Sequence, residues 1–176
     1  MKGTIVYKGK YGATKQYAEW LGKALDATIV TPEKFTAPDL LYSDYIVIGS
    51  SVYIGELQLH AWLRENADML KTKKLFLFIV CGTPSTDKEK TEMIIKRNIP
   101  TSLQQSEIYF FPGRVIRQQL SWKDRLLLRI GSMFAKKPAE KETMSKDFDR
   151  VAHDHINPLV NSVKKLYTAA NIVSYA

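Results

Sequence analysis

The stretch that decides the fold is Thr4-Ile5-Val6-Tyr7-Lys8-Gly9-Lys10-Tyr11-Gly12-Ala13-Thr14. Its first four residues are β-branched or aromatic, which predicts a short strand. After the glycine-bearing loop, apolar residues recur at helical spacing, which predicts a helix from about Ala13 to Leu25. A strand, a loop and a helix in this order direct the unpaired N–H groups of the helix N-terminus toward the loop. The loop therefore suits an anion, because the helix dipole adds positive potential there.

The loop residues favour a phosphate group without specifying one. Gly9 and Gly12 permit backbone conformations that a Cβ would penalise. Thr14 adds a hydroxyl donor, and the charges of Lys8 and Lys10 attract a phosphate. The spacing of the two glycines is neither the dinucleotide fingerprint nor a nucleoside triphosphate loop. Taken alone, the loop is as consistent with an ordinary turn between a strand and a helix as with a phosphate site.

Composition indicates one globular domain over residues 1–176. Of the 176 residues, 45% are hydrophobic and 25% are charged, which is typical of a soluble protein. No secretory signal, prenylation box or long apolar run is found, so we expect a cytoplasmic protein. The 26 basic residues outnumber the 18 acidic ones, which fits an anionic membrane surface or an acidic small molecule. We expect no nucleic-acid partner, because no zinc-finger spacing or RNA-binding signature is found.

Metal binding and hydrolytic chemistry have no support. The single cysteine, Cys81, excludes an internal disulfide and a cysteine-based metal cluster. His153 and His155 lie two residues apart on a predicted helix, which is a poor spacing for a metal pair. No hydrolase motif is found. We therefore predict no metal site, and no side chain is an obvious general acid or base.

Strands and helices alternate along the chain. We predict strands at 4–7, 27–31, 44–51, 75–81 and 106–111, and helices at 13–25, 57–70, 87–97 and 148–170, the last bent or broken at Pro158. This alternation predicts an α/β fold: a doubly wound, five-stranded parallel sheet with helices on both faces. Ligands bind beyond the carboxyl ends of such strands. We expect the loops 8–14, 50–55 and 82–87 to converge on one ligand.

In these three loops the chain resembles the flavodoxin family, over essentially its whole length. Gly12-Ala13-Thr14 matches the Gly-x-Thr ending of the family's phosphate loop. Ser50-Ser51-Val52-Tyr53-Ile54-Gly55 is similar to the loop that runs along the isoalloxazine ring, and Cys81-Gly82-Thr83-Pro84-Ser85-Thr86-Asp87 to the loop on the other side of the ring. The resemblance implies a flavodoxin-like fold with non-covalently bound FMN. The cofactor-binding residues that it implies are Lys8, Gly9, Lys10, Tyr11, Gly12, Ala13, Thr14, Ser51, Val52, Tyr53, Ile54, Gly55, Gly82, Thr83, Pro84 and Asp87.

Several features of these loops bear on the chemistry. Lys8 and Gly9 stand where carrier flavodoxins usually have serine or threonine, so we expect the backbone and lysine charge to hold the phosphate. Tyr53 is a candidate for stacking on one face of the ring. The third loop has no aromatic residue before Asp87, so we expect the second face to lie open. An open face with few acidic neighbours suits two-electron chemistry on a stacked substrate.

An insertion at about 114–146 resembles the menaquinone-dependent protoporphyrinogen oxidase-like branch of the family. The matching segments are Gly113-Arg114-Val115-Ile116-Arg117 and Trp122-Lys123-Asp124-Arg125. The resemblance implies an FMN-dependent oxidoreductase that passes electrons to a quinone. Arg114 and Arg117 are candidates for binding the carboxylates of an acidic substrate, or they are solvated surface charges.

The insertion also contains an amphipathic helical pattern. One arc of the helix carries Trp122, Leu126, Leu127, Ile130, Met133 and Phe134, and Arg125, Arg129 and Lys136 lie beside it. Two alternatives are open: the helix rests peripherally on the inner face of an anionic membrane, or the arc packs on the domain. Two further functions are also open, namely a non-enzymatic FMN electron carrier with a redox partner protein, and a degenerate flavodoxin fold that acts only as an interaction module.

Overall fold

The computed structural model describes residues 1–134 and 146–173. Its main sheet contains five parallel strands: β1 (Gly3–Lys8), β2 (Thr28–Val30), β3 (Tyr45–Tyr53), β5 (Lys74–Cys81) and β6 (Glu107–Pro112). Their order is β2-β1-β3-β5-β6, and the short β4 (Glu56–Leu57) pairs antiparallel with the end of β3. A second, two-stranded sheet joins β7 (Arg114–Val115) to β8 (Phe148–Asp149). The predicted doubly wound parallel sheet is confirmed.

Helices cover both faces of the main sheet. In residues 1–134 and 146–173 the helices are α1 (Ala13–Leu25), α2 (Ala37–Leu41), α3 (His60–Glu65), α4 (Ala67–Leu70), α5 (Lys88–Asn98), α6 (Trp122–Phe134) and α7 (Asn157–Val173). Helices α1 and α7 pack on one face, where Phe76 and Phe78 of β5 point. The other face is covered by α3, α4 and α5, and there Leu75, Leu77 and Ile79 point. This alternation along a buried strand is why the sequence reads as a continuous apolar run.

Two predicted helices differ from the structure. The predicted helix at 57–70 is wrong in its first part: Leu57 belongs to β4, and α3 and α4 are separated at Asn66. The predicted helix at 148–170 is wrong at its start, because Phe148 lies in β8 and a 3-10 turn at His153–Ile156 precedes α7. Pro158 neither bends nor breaks α7. It lies in the first turn, where its missing N–H costs nothing.

The parallel strands end at the same edge of the sheet, and this arrangement positions the site. The loop after β1 leads into α1, the end of β3 turns back as β4, and the loop after β5 leads into α5. Because β1, β3 and β5 are direct neighbours, their carboxyl ends lie side by side.

Candidate cofactor site

A cavity of about 420 Å³ lies beyond the carboxyl ends of these strands. It is lined by all three predicted loops and by the insertion: Lys10, Tyr11, Ala13, Thr14, Ser51, Val52, Tyr53, Ile54, Gly55, Val80, Cys81, Gly82, Gly113, Arg114, Val115, Leu120, Asp124, Leu127, Leu128 and Phe148. The volume falls in the range of roughly 300–1,000 Å³ that small-molecule sites occupy.

The loop after β1 forms a cradle at the N-terminus of α1. Gly12 precedes the helix with φ 83°, and no side chain caps the helix there. The first helical backbone bond runs from the Gln16 N–H to the Gly12 carbonyl, so the N–H groups of residues 13–15 precede the repeating pattern. A Cβ on Gly9 would overlap the Thr14 side chain, which is buried at 1% exposure. The loop therefore needs glycine at position 9 and offers donors to an anion.

The turn between β3 and β4 forms a second wall and carries backbone strain. Ile54 and Gly55 have φ of 51° and 76°, and a positive φ is costly for the β-branched Ile54. Asn98 of α5 holds this turn, because its Oδ1 accepts the Leu57 N–H at 2.9 Å and its Nδ2 donates to the Gly55 carbonyl at 3.2 Å. Asn98 is 1% exposed.

The loop after β5 is divided between two cavities. Gly82 lines the main cavity, whereas Thr83 and Pro84 line an adjoining cavity of about 250 Å³ that also contacts Gly82, Phe148 and others. Burial raises the pKa of the Cys81 thiol, which lies between the two cavities.

Some predicted cofactor residues do not line the main cavity. Lys8 forms an exposed ion pair with Glu33 at 3.2 Å, and Gly9 and Gly12 are also absent from the cavity lining. Asp87 lines neither cavity. Its carboxylate accepts the Lys90 N–H at 3.2 Å and so caps α5, which gives it a structural role.

The insertion closes the cavity with an apolar wall. Leu127 and Leu128 of α6 line it together with Leu120, Val115 and Phe148. The apolar arc predicted for α6 includes Leu127 but not Leu128, yet both side chains line the cavity. The arc residues Trp122, Leu126 and Ile130 are 66%, 50% and 47% exposed, so these three do not pack on the domain. The side chains of Met133 and Phe134, and Lys136 as a whole, lie outside what the structure describes.

The two candidate substrate arginines are engaged with carboxylates nearby. Arg114 lines the cavity, and its guanidinium donates to Asp149 at 2.7 Å and to Gln16 at 2.9 Å. Arg117 lies in a 3-10 turn outside the cavity lining, and its backbone N–H, not its guanidinium, donates to the Asp147 carboxylate at 3.1 Å.

Asp124 is a site residue that the sequence did not predict. It is 4% exposed, and its carboxylate accepts hydrogen bonds from the hydroxyls of Tyr11 and Tyr53. The Lys10 ammonium lies 2.7 Å from the same carboxylate and 3.8 Å from the centroid of the Tyr53 ring. The bond to Asp124 raises the pKa of Lys10. The sequence signal that could have identified Asp124 is its position as the one acidic residue in the basic and apolar stretch 114–134.

The site fits FMN in its chemistry. The phosphate requires N–H and hydroxyl donors without a competing acid, and the first turn of α1 contains no acidic residue. The flat ring requires apolar walls, which α6 and the β7–β8 sheet supply. Within residues 1–134 and 146–173, no cluster of three side chains suits a metal ion. In the same residues, no helix has both the length and the apolar character needed to cross a bilayer.

Comparisons with known proteins identify the family of this chain. The family model described as flavodoxin domain matches residues 4–149. Similar solved structures include an archaeal flavodoxin, with 14% identity over 67% of this chain and 87% of that chain and a TM-score of 0.47. Two-electron reduced Megasphaera elsdenii flavodoxin has 20% identity over 61% of this chain and 82% of that chain, with a TM-score of 0.45. Oxidised Flavodoxin 2 from Bacillus cereus has 23% identity over 64% of this chain and 84% of that chain, with a TM-score of 0.41. Such distant likenesses carry no functional argument, and no curated protein matches significantly. Because the family model covers most of the chain, this protein belongs to the flavodoxin domain family, and it binds FMN.

Proposed function

We propose that the protein is an FMN-dependent oxidoreductase that acts on a small molecule and passes electrons to a quinone, like the protoporphyrinogen oxidase-like branch it resembles. The observation that carries the proposal is the wall that α6 builds over the cofactor cavity. Leu127 and Leu128 line that wall, and Asp124 fastens it to the cofactor loops. When bound, FMN supplies the two-electron chemistry, and the chain supplies position and surroundings.

An apolar wall favours a small-molecule substrate over a docked redox protein. A carrier that exchanges electrons with another protein needs an accessible cofactor edge, whereas Leu120, Leu127 and Leu128 line part of this cavity with aliphatic carbon. The adjoining cavity of about 250 Å³ shares Cys81 and Gly82 with the main one. Together the two cavities offer space beside the cofactor for a flat apolar molecule such as a quinone.

The charge at the rim suits an acidic substrate. Arg114 lines the cavity and already holds the carboxylate of Asp149. A substrate carboxylate would take the place of Asp149 in this charge-assisted contact. Arg117, three residues further along the insertion and outside the cavity lining, is the second candidate.

The quinone proposal is tested by anaerobic stopped-flow kinetics. The reduced, FMN-loaded protein is mixed with a water-soluble naphthoquinone, and we expect reoxidation faster than that of free reduced FMN, with a rate that saturates as the quinone concentration rises. Leu127→Asn should raise the quinone concentration at which the reoxidation rate is half-maximal. The control Leu41→Asn, at an exposed position of α2, should leave that concentration unchanged. A linear dependence at the rate of free reduced FMN would overturn the proposal.

The alternative of an electron carrier is separated by a redox titration. A carrier would accept its two electrons in two well-resolved steps, whereas the proposed oxidoreductase takes both in one step. Two resolved steps together with slow quinone reoxidation would favour the carrier.

We further propose that α6 contacts an anionic bilayer peripherally, where a lipid quinone would reside. Trp122, Leu126 and Ile130 are exposed on one side of the helix, and Lys123 and Arg125 are exposed beside them. Apolar side chains flanked by basic ones suit the surface of an anionic membrane.

Vesicle sedimentation tests the bilayer contact. We expect binding to phosphatidylserine-containing vesicles at low salt, and a loss of at least tenfold in Trp122→Ser/Leu126→Ser. The control Leu41→Ser/Tyr42→Ser removes equally exposed apolar side chains at α2 and should bind normally. Equal binding by all three proteins, or none by wild type, would remove the proposal.

A further inference from the structure

One buried carboxylate joins the insertion to two cofactor loops. Asp124 lies in the first turn of α6, Lys10 and Tyr11 lie in the loop after β1, and Tyr53 ends β3. All four line the main cavity. The Tyr11 hydroxyl bonds across 113 positions of sequence and the Tyr53 hydroxyl across 71. Asp124 is thus the point where three distant segments meet.

The surroundings of Asp124 are built for a charged carboxylate. Its side chain is 5% exposed and receives one ammonium and two hydroxyl donors. Its backbone N–H donates to the Ser121 hydroxyl at 3.2 Å, which caps the start of α6. A buried charge persists only when it is paired and hydrogen-bonded, and removing one partner is costly.

The same contacts fix the charge of Lys10. Its ammonium lies between the Asp124 carboxylate and the face of the Tyr53 ring, which is a favourable place for a cation. With Asp124 present, the pair adds little net charge to the cavity. Without it, the cavity next to the phosphate loop would carry an uncompensated positive charge.

We propose that Asp124 is a positioning residue: it holds α6 against the cofactor loops and, by balancing Lys10, sets the reduction potential of the bound FMN. This inference rests on FMN binding at the main cavity and deepens the proposed function. Reduction adds electrons to the ring, so a more positive surrounding favours the reduced cofactor. Removing the Asp124 charge should therefore raise the potential, and removing the Lys10 charge should lower it.

The test compares Asp124→Asn, Asp124→Glu, Lys10→Met and the double variant Lys10→Met/Asp124→Asn. The midpoint potential is measured against a reference dye, and the FMN dissociation constant by quenching of flavin fluorescence. We expect Asp124→Asn to favour reduced over oxidised FMN tenfold, which is about 30 mV for two electrons. Lys10→Met should shift the ratio of reduced to oxidised FMN in the opposite direction. The double variant, in which both charges are removed, and Asp124→Glu, in which the charge is kept, should both have potentials close to that of wild type.

The control is Asp68→Asn, which removes an exposed carboxylate on α4 and should leave the potential unchanged. A second measurement needs no cofactor: trypsin should cleave after Arg129, whose neighbours in sequence are the same in both proteins, at least threefold faster in Asp124→Asn, because α6 loses its anchor. An Asp124→Asn shift no larger than that of the control would overturn the inference. So would shifts of the same sign in Asp124→Asn and Lys10→Met, since mere loosening would produce them. Failure of wild type to bind FMN would instead refute the proposed function itself.

Discussion

Replacing Gly9 by alanine tests the cradle of the phosphate loop. The new Cβ would lie 2.6 Å from the Thr14 Cβ and closer still to its Oγ1. Ordinary contact begins at 3.4 Å, so one side must move by about 0.8 Å. Thr14 is buried in the first turn of α1, so the loop is the side that yields. Such overpacking costs about 1–3 kcal/mol of unfolding free energy.

The same shift should weaken FMN binding. A backbone N–H displaced by about 0.8 Å turns an N···O distance of about 2.9 Å into about 3.7 Å, which is no longer a hydrogen bond. Losing one bond to a charged phosphate costs roughly 1.5–3 kcal/mol, or about 10- to 150-fold in the dissociation constant. The assays are urea unfolding of the apoprotein and fluorescence titration with FMN.

Gly12→Ala is the matched control in the same loop. Its Cβ would meet no atom within 4 Å, but φ is 83°, so its cost of about 1–2 kcal/mol is backbone strain alone. Adding Thr14→Ala should recover part of the unfolding free energy lost in Gly9→Ala, because the Oγ1 overlap disappears, and none of that lost in Gly12→Ala. Unchanged unfolding free energy and FMN affinity in Gly9→Ala would refute the claim that the loop needs glycine at position 9.

Three further predictions concern the other walls of the site. Asn98→Ala should lower the unfolding free energy by about 1–3 kcal/mol, because the buried Leu57 N–H loses its acceptor. Chemical denaturation measures this loss, and an unchanged denaturation midpoint would contradict it. Ile54→Gly should raise the unfolding free energy by about 1 kcal/mol, because glycine adopts the positive φ without strain. The same change should weaken FMN binding, since Ile54 lines the cavity. A variant less stable than wild type would show that Ile54 is not strained. Burial raises the pKa of Cys81 above its ordinary value of 9.0, so its contribution to stability is complete below pH 9 and falls as pH rises, because the unfolded thiol ionises first. Unfolding free energy should therefore decline less steeply above pH 9 in Cys81→Ala, and parallel pH profiles would contradict this.

Much of the fold could be predicted because its signals are local. The apolar runs of β3 and β5 and the spacing of Tyr17, Leu21 and Leu25 in α1 suffice to predict a covered parallel sheet. The break after Leu57 could not be predicted, because its N–H bonds to Asn98, 41 positions away. The start of α7 was missed for a similar reason, since β8 exists only through its pairing with β7.

The site was only partly predictable. Topology alone brings the three loops to one edge, and the glycines indicate where the backbone must turn. The roles of Asp124 and Leu128 depend on how the insertion folds back over the cavity, and no local pattern encodes that. Helical spacing predicted an apolar arc on α6 that includes Trp122 and excludes Leu128, whereas Trp122 is exposed and Leu128 lines the cavity.

The most direct test is the visible absorption spectrum of the purified protein after FMN is added and the excess is removed by gel filtration. We predict flavin bands that stay with the wild-type protein and are reduced or lost in Gly9→Ala. A colourless wild-type protein would contradict the assignment of this cavity to FMN and, with it, the redox function built on it.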